Sequence, residues 1–560
     1  MGRHGAPDRG APRRAGGRVT VRITFLGGLG EIGRNCATIE IDGRLAMIDA
    51  GLMFPEEDML GVDLILPDFG SVVERADDLE AILLTHGHED HIGALGFLLR
   101  EVRAPIFGTP LTLALARARI EEAGITAEMH EVEPRTWVEA GPFRFTFIPV
   151  THSIPQAGGI AIETPEGIVL HSGDFKLDPT PLDRRTADLQ TFAGFGRRGV
   201  RLLLADSTNA ERPGVVPSET SVGPELRALV AGAEGRVIVA CFASHVHRVQ
   251  QAIDAVVADG RKFAFLGRSM LRVSEIAARL GLLDTHAGHL VELDDLLELP
   301  PERTAVISTG SQGEPFAALS LMAAGEHRSL KLEPGDTVII SATPIPGNET
   351  KVSRVINNLI RQGVRVFHGR NAPIHVSGHA AADELLTFYN VVEPKALVPV
   401  HGEYSHLVAN AALGERVGIE EIVVCEDGDA VVLEDGELRV ERKAVSGSYV
   451  YVDGSGVGDL EGVIRDRRHL ADGGVVIVTV GVDQRTGEIV IGPEVDSHGL
   501  TGEPDDLHDL VVERVRQGVE RLERPIDMDA LRRRIRNSAT RALRGRLRRR
   551  PFVVPVAIEV

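Results

Sequence analysis

Thr85-His86-Gly87-His88-Glu89-Asp90-His91 follows the apolar run AILLT at 81–85, which reads as a buried strand. Three imidazoles and a carboxylate crowd into the pattern H-x-H-x-D-H, too dense a polar set for a packed core. Neutral histidine and ionised aspartate are ligands for Zn²⁺ or another borderline metal. In an extended loop His86 and His88 can point one way while Asp90 and His91 point another, so one loop can serve two ions. It cannot close two coordination shells alone. Further ligands must come from elsewhere, and His152 in PVTHSIP, Asp174 in HSGDFK and His401 in PVHGEYSH each stand just beyond an apolar β-run. Taken singly, a histidine in such a place is more often structural.

The rest of the chain sets the bounds. Its 560 residues are 43% hydrophobic and 25% charged, the balance of a globular protein with more than one domain. Cys36, Cys241 and Cys425 lie too far apart for a disulfide framework or a zinc knuckle, which points to a reducing, cytoplasmic setting. No apolar stretch approaches the ~20 residues of a membrane span. The formal net charge of −20 argues against indiscriminate binding of polyanions, although divalent ions in a cleft reverse the local field. Residues 1–18 are basic and rich in Gly and Pro, lack the apolar segment of a signal peptide, and read as a disordered tail. The arginine-dense run at 532–550 reads as an amphipathic helix with a solvated face, a phosphate-contacting surface being the alternative.

Residues 19–26 (VTVRITFL) alternate as a strand. The following Gly28-Leu29-Gly30-Glu31-Ile32-Gly33 has the form G-x-G-x-x-G, but a dinucleotide site needs a helix next, and CATIEIDGRLAMID reads as strand, turn, strand. These glycines read instead as a tight loop near a site. From about residue 218 strands and helices alternate, which predicts α/β units around a parallel sheet. A Gly/Ser-rich break at 446–458 precedes two strands, a helical run from about Asp506 and a final strand, a small α+β domain. Ser244-His245-Val246-His247-Arg248 repeats an H-x-H but runs into a helix, so it reads as structural or RNA-contacting rather than metal-binding.

The order H-x-H-x-D-H, His152, Asp174, His401 resembles the metallo-β-lactamase superfamily. LADSTN at 204–209, HVSGHA at 375–380 and PVHGE at 399–403 resemble motifs A, B and C of its β-CASP nucleases. GRSM at 267–270, STGSQGEP at 308–315 and SATPIPGNE at 341–349 narrow the likeness to the ribonuclease J family, over roughly residues 19 to 560. The resemblance implies an α/β protein: an αββα sandwich over 19–209 and 374–453, an inserted β-CASP domain over 210–373, a linker over 454–464 and a C-terminal α+β domain over 465–560.

It also implies a site. One ion would take His86, His88, His152 and Asp174, and the second Asp90, His91, His401 and a bridging Asp174. Two Zn²⁺ per chain are expected, with Mn²⁺ or Mg²⁺ able to stand in. Asp206 and His379 would be general acid and base, in an order the sequence leaves open. His375, Val376, Ser377, Gly378 and His379 would clamp a substrate phosphate, and small residues there suit the approach of backbone N–H groups to an oxyanion. Ser308, Ser311 and Gln312 are lesser candidates for a phosphate contact. Gly61, Asp63 and Asp453 would hold one structural Ca²⁺ through oxygens.

The implied activity is a metal-dependent ribonuclease acting on single-stranded RNA in decay and maturation. It would work 5′→3′ from 5′-monophosphate ends, with endonuclease cleavage besides. In the family, a histidine at motif C, here His401, goes with RNA substrates. A homodimer or homotetramer through the C-terminal domain, and other RNA-decay enzymes as partners, are implied too, with no membrane association. The competing readings are a strictly endonucleolytic RNA 3′-end-processing nuclease, a DNA-acting relative, an RNA-binding scaffold with a dead site, and a small-molecule hydrolase. The inserted domain weighs against the last, and the intact ligand set against the scaffold.

Overall fold

The computed structural model describes residues 20–560 except 57, 315, 346, 455, 501–503, 545, 548 and 549. The tail expected over 1–18 lies outside the described residues. The chain forms two units, Met1–Phe54 with Ile65–Tyr449, and Pro55–Leu64 with Val450–Val560.

In the first unit, the alternating segment at the start becomes the strand Thr20–Gly27. It sits inside an eight-stranded sheet, between Cys36–Ile41 and the late strand Ala430–Glu434, both antiparallel to it. Beyond Cys36–Ile41 come Arg44–Ile48, Leu79–Leu83 and Ile106–Gly108, the last three mutually parallel. A seven-stranded sheet faces it. Val21, Ile23, Phe25 and Ile39 from the first sheet meet Phe145, Phe147, Ile162, Leu202 and Val398 from the second in one buried layer. Each such side chain contributes roughly 1.5–3 kcal/mol by leaving water. The outer faces are apolar as well. Met47, Ile82 and Leu84 lie with the helical residues Leu95, Leu98 and Leu111 in one continuous cluster, which also takes in Leu170 and Leu203 with Phe192, Leu385 and Phe388. Strands that are apolar on both faces force helices onto both sides, giving the expected αββα sandwich.

The inserted segment folds around a five-stranded parallel sheet in the order Lys262–Leu266, Thr304–Ser308, Val237–Ala240, Thr337–Ile340, Arg365–His368. Val237–Ala240 is buried at every position, as a central parallel strand should be. The chain then returns through the helix Ala382–Val392 to the strand Pro394–Val400. That strand pairs in parallel with Val200–Asp206, register Asp206 opposite Val400. Two segments nearly two hundred residues apart thereby end side by side at one sheet edge.

The second unit centres on Val475–Val482, antiparallel to Ile489–His498 and parallel to Phe552–Glu559. Its period-two pattern buries Val476, Val478, Val480 and Val482 against Val511, Val515, Leu531 and Ile535 of the helices Pro504–Val519 and Met528–Leu543. Asp527 caps the latter, accepting from the N–H groups of Asp529 and Ala530. Arg532, Arg533, Arg536 and Arg541 lie on its exposed face, the amphipathic helix expected from sequence. The linker expected over 454–464 is corrected: Gly456–Gly458 pairs with Val450–Asp453 as a hairpin, and the helix Glu461–Gly473 has begun. The division between units falls at Tyr449, and Pro55–Leu64 joins the C-terminal one, where Asp63 N–H donates to the Val452 carbonyl at 2.8 Å. No helix among the described residues is long and apolar enough to cross a membrane.

The sole tryptophan, Trp137, belongs to the first unit and reports on it alone. Phe145→Ala, which empties a site packed by Phe107 and Phe147, is expected to destabilise this unit by about 3–5 kcal/mol. The check is a lower urea midpoint in Trp137 fluorescence.

Candidate metal centre and active site

The histidine loop is shaped by a residue outside it. Asp49 ends the strand Arg44–Ile48 in the left-handed region, φ +58°. Its Oδ1 accepts from Thr85 N–H at 2.8 Å, and its Oδ2 from Thr85 Oγ1 at 2.7 Å and His91 Nδ1 at 2.8 Å. With Nδ1 donating to a carboxylate, His91 turns Nε2 towards the other ligand candidates, where Asn35 Nδ2 also lies 3.1 Å from it; a cation taking Nε2 would complete the usual carboxylate–histidine–metal relay. Gly51 lets the loop come close: a Cβ there would stand 1.6 Å from the Asp90 carbonyl oxygen.

The expected ligands converge. His88 Nδ1 stands 3.0 Å from His86 Nε2 and 3.2 Å from His152 Nε2. Asp90, His91, Asp174 and His401 form a second group whose ligand atoms lie within 4.8 Å of one another. Asp174 borders both: its Oδ2 is 3.7 Å from His86 Nε2 and 3.2 Å from His91 Nε2, and its Oδ1 is 3.2 Å from His401 Nδ1. Three imidazole nitrogens this close have too few protons to satisfy one another, and His401 Nε2 is buried without a hydrogen-bond partner among the described residues. The donor set fits divalent cations. Burial holds His86 and His152 well below the ordinary imidazole range and His88 at about 4, so all three are in the neutral, ligating form. For His91 and His401 burial acts the same way and is the largest single effect, but the surrounding carboxylates, Asp174 foremost, together outweigh it, and both are raised. A cation entering there releases those protons.

Next to the second group, His379 Nδ1 lies 2.8 Å from Asp206 Oδ2. Asp206 Oδ1 also accepts from Thr208 N–H at 3.0 Å and Thr208 Oγ1 at 2.9 Å. Burial, the largest single effect, would raise this carboxyl, but the His379 charge and the hydrogen bonds from His379 and His401 together outweigh it and hold it below the carboxylate range. His379 is raised in turn, Asp206 overcoming the effect of burial. In the ion-free pair both directions favour the proton on His379, whose side chain is 19% exposed against 2% for Asp206.

The segment 375–379 is tied to the same centre. Asn209 Nδ2 donates to Ser377 Oγ and to the His379 carbonyl, both at 2.8 Å. His152 Nδ1 lies 2.8 Å from the Gly378 carbonyl, and a Cβ at Gly378 would stand 2.8 Å from the His152 ring. Val376 is buried.

Other candidates fall elsewhere. Gln312 is occupied in holding a neighbouring loop, donating to the Thr343 carbonyl and accepting from Ile345 N–H, and with Ser308 and Ser311 it is buried. His245 and His247 flank the start of the helix Val246–Ala258, facing Glu219 and Asp183, as the structural reading expects. Gly28 and Leu29 border the ligand cluster, the tight loop expected of that glycine run. Gly61, Asp63 and Asp453 do not leave an open oxygen cage. Arg467 donates to Asp453 Oδ2 at 2.5 Å and to the Leu60 carbonyl at 3.0 Å, and Asp63 Oδ2 accepts from Gly454 N–H at 2.7 Å. A Ca²⁺ ion at this place would have to displace a guanidinium.

Three ribonuclease J proteins align with nearly the whole chain. That of Mycolicibacterium smegmatis is 44% identical over 96% of this chain and 97% of its own length. The Mycobacterium tuberculosis protein is 44% identical over 98% of each, and that of Thermus thermophilus 39% over 99% and 97%. The chain belongs to the ribonuclease J family. Within this ribonuclease J chain, the family description "Metallo-beta-lactamase superfamily" matches residues 29–209 and "Ribonuclease J, beta-CASP domain" residues 234–359. "Zn-dependent metallo-hydrolase RNA specificity domain" matches 367–424 and "Ribonuclease J C-terminal domain" 462–560. A solved protein of unknown function from Enterococcus faecalis shares the fold, with a TM-score of 0.53 at 16% identity, over 74% of this chain and all of its own.

Sequence reasoning missed the supporting residues. Asp49 carried a signal, a carboxylate ending a strand before Ala-Gly, but its partners Thr85 and His91 lie more than thirty residues on. Asn410, which donates to the Asp206 carbonyl at 3.1 Å and to Ser207 Oγ at 2.9 Å, sits mid-helix with no local cue. Asp49→Ala should lower metal affinity by about 10–100-fold without removing a ligand. Competition against a chelator measures this, with His86→Ala as the comparison that removes one outright.

Proposed function

We propose that this chain hydrolyses single-stranded RNA at a two-ion centre. It works 5′→3′ from 5′-monophosphate ends and also cleaves internally, in RNA decay and maturation. The observation that supports this most is Asp174 standing between both ligand groups, with the segment 375–379 anchored on His152 beside them. His86, His88, His152 and Asp174 would hold one ion, and Asp90, His91, His401 and Asp174 the other, with Zn²⁺ the ion the ligand chemistry favours and Mn²⁺ or Mg²⁺ able to replace it. When bound, such ions supply an activated water and stabilise charge on the attacking and leaving oxygens.

The side chains do the rest. Ser377, His375 and the backbone N–H groups of 376–378 receive the substrate phosphate. Asp206 keeps the proton on His379, and His379 gives it to the leaving 3′-oxygen. Asp206→Asn would remove the charge that raises His379, so the imidazolium would be lost at a lower pH. The alkaline limb of the kcat profile should accordingly shift to lower pH, and kcat itself should fall by about 10²–10⁴ with metal content retained. RNA labelled at either end, carrying a 5′-mono- or triphosphate, tests the substrate assignment. Faster decay of the monophosphate form with 5′-side mononucleotides is expected; products from internal cuts alone would mark a strict endonuclease.

We assign self-association to the C-terminal unit. Its outer strand Ile489–His498 leaves one edge unpaired among the described residues and exposes Val490 and Ile491. Val490→Lys with Ile491→Lys should lower the mass measured by light scattering; an unchanged mass would place the interface elsewhere.

A further inference from the structure

Arg248 is wholly buried, yet the reaction described above gives it no part. Its Nε and Nη2 form a two-pronged pair with Glu219 at 2.8 and 2.9 Å. Its Nη1 donates to Ser341 Oγ at 2.8 Å, the Ser341 carbonyl at 3.1 Å and the Ile374 carbonyl at 2.8 Å, and lies 3.3 Å from His375 Nδ1. Glu219 is itself fixed: Gln251 Nε2 donates to its Oε1 at 2.8 Å, and its backbone N–H donates to Asp178 Oδ2 at 2.8 Å.

The topology gives these contacts meaning. Glu219 lies where the chain enters the inserted domain, and Ile374 and His375 where it leaves. Ser341 follows the strand Thr337–Ile340 and donates from Oγ to the same Ile374 carbonyl at 2.6 Å. One guanidinium thus joins entry, interior and exit. A planar fork is needed, because lysine cannot bond Glu219 twice and still reach Ile374. Burying an ion pair is weak evidence for a gain in stability, since desolvation consumes much of the attraction. A geometric task accounts for its presence.

Resting on the ribonuclease reading, we infer that the Arg248–Glu219 pair is a positioning device for RNA: it fixes residues 375–378, and with them the phosphate, relative to the ligand cluster, while His379 is held separately by Asp206 and Asn209. Neither residue touches substrate. His375, neutral with a pKa of about 3 because of burial and the adjacent Arg248 charge, is presented as an uncharged ring.

The test uses the full chain loaded with zinc, in three forms: wild type, Arg248→Met, and Glu219→Gln with Arg248→Met. The single variant leaves a buried carboxylate unpaired and should lose stability; the double variant restores neutrality and should recover it. Both should keep metal content and hydrolysis of bis(p-nitrophenyl) phosphate. In the stable double variant, KM for a 5′-monophosphorylated oligoribonucleotide should rise about 10-fold or more, with a much smaller change in kcat. Hydrogen exchange at residues 374–380 should quicken, a readout that needs no RNA. A double variant with wild-type KM and unchanged exchange at 374–380 overturns the inference. Wild-type protein that hydrolyses the small ester but not RNA overturns the ribonuclease reading instead, and the exchange measurement still decides the positioning role.

Discussion

The Asp49 carboxylate is the contact on which the site depends. It is buried, so its charge must be met by donors, and it takes three from the histidine loop. Those bonds fix the turn after Leu79–Leu83, orient His91, and leave the remaining nitrogens facing inward. The sheet supplies the other half of the construction. Because Val200–Asp206 and Pro394–Val400 pair in register, Asp206 and His401 emerge together at one edge. Near neighbours in sequence and distant returns are held to the same rim by backbone hydrogen bonds, which do not depend on any cation.

The acidic balance of the chain reads differently once the site is seen. Asp90, Asp174 and Asp206 crowd against histidines in a buried rim. Without compensation such a cluster would repel a polyanion. Divalent cations held there, as proposed above, would reverse the sign of the local field. Net charge described the surface of the molecule and said little about its cleft.

The convergence of His86, His88, Asp90, His91, His152, Asp174 and His401 was legible because coordination demands particular side chains at strand ends, and a set as dense as H-x-H-x-D-H suits little besides a cation. The sandwich, the inserted parallel sheet and the C-terminal α+β fold were legible from periodicity and order. The 454–464 segment was not: glycine and serine suggested a connector, whereas backbone pairing between Tyr451 and Gly458 makes it a hairpin, and glycine is compatible with both. Asn209, Asn410 and Arg248 escaped because their roles are set by partners far along the chain. Gln312 shows the converse. Its small, polar loop suggested a ligand contact, but its amide is consumed by Thr343 and Ile345.

The pairing of Thr20–Gly27 with Ala430–Glu434 has a consequence for how the protein is made. Thr24 opposes Ala430, roughly 400 residues later in the chain. At ribosomal speeds of about 5–20 residues per second, the outer edge of that first strand waits roughly 20–80 s for its partner. During this time Cys36–Ile41 covers one edge and the other stays open. The nascent chain therefore carries an unfinished sheet, with an edge open to pairing, through most of its synthesis.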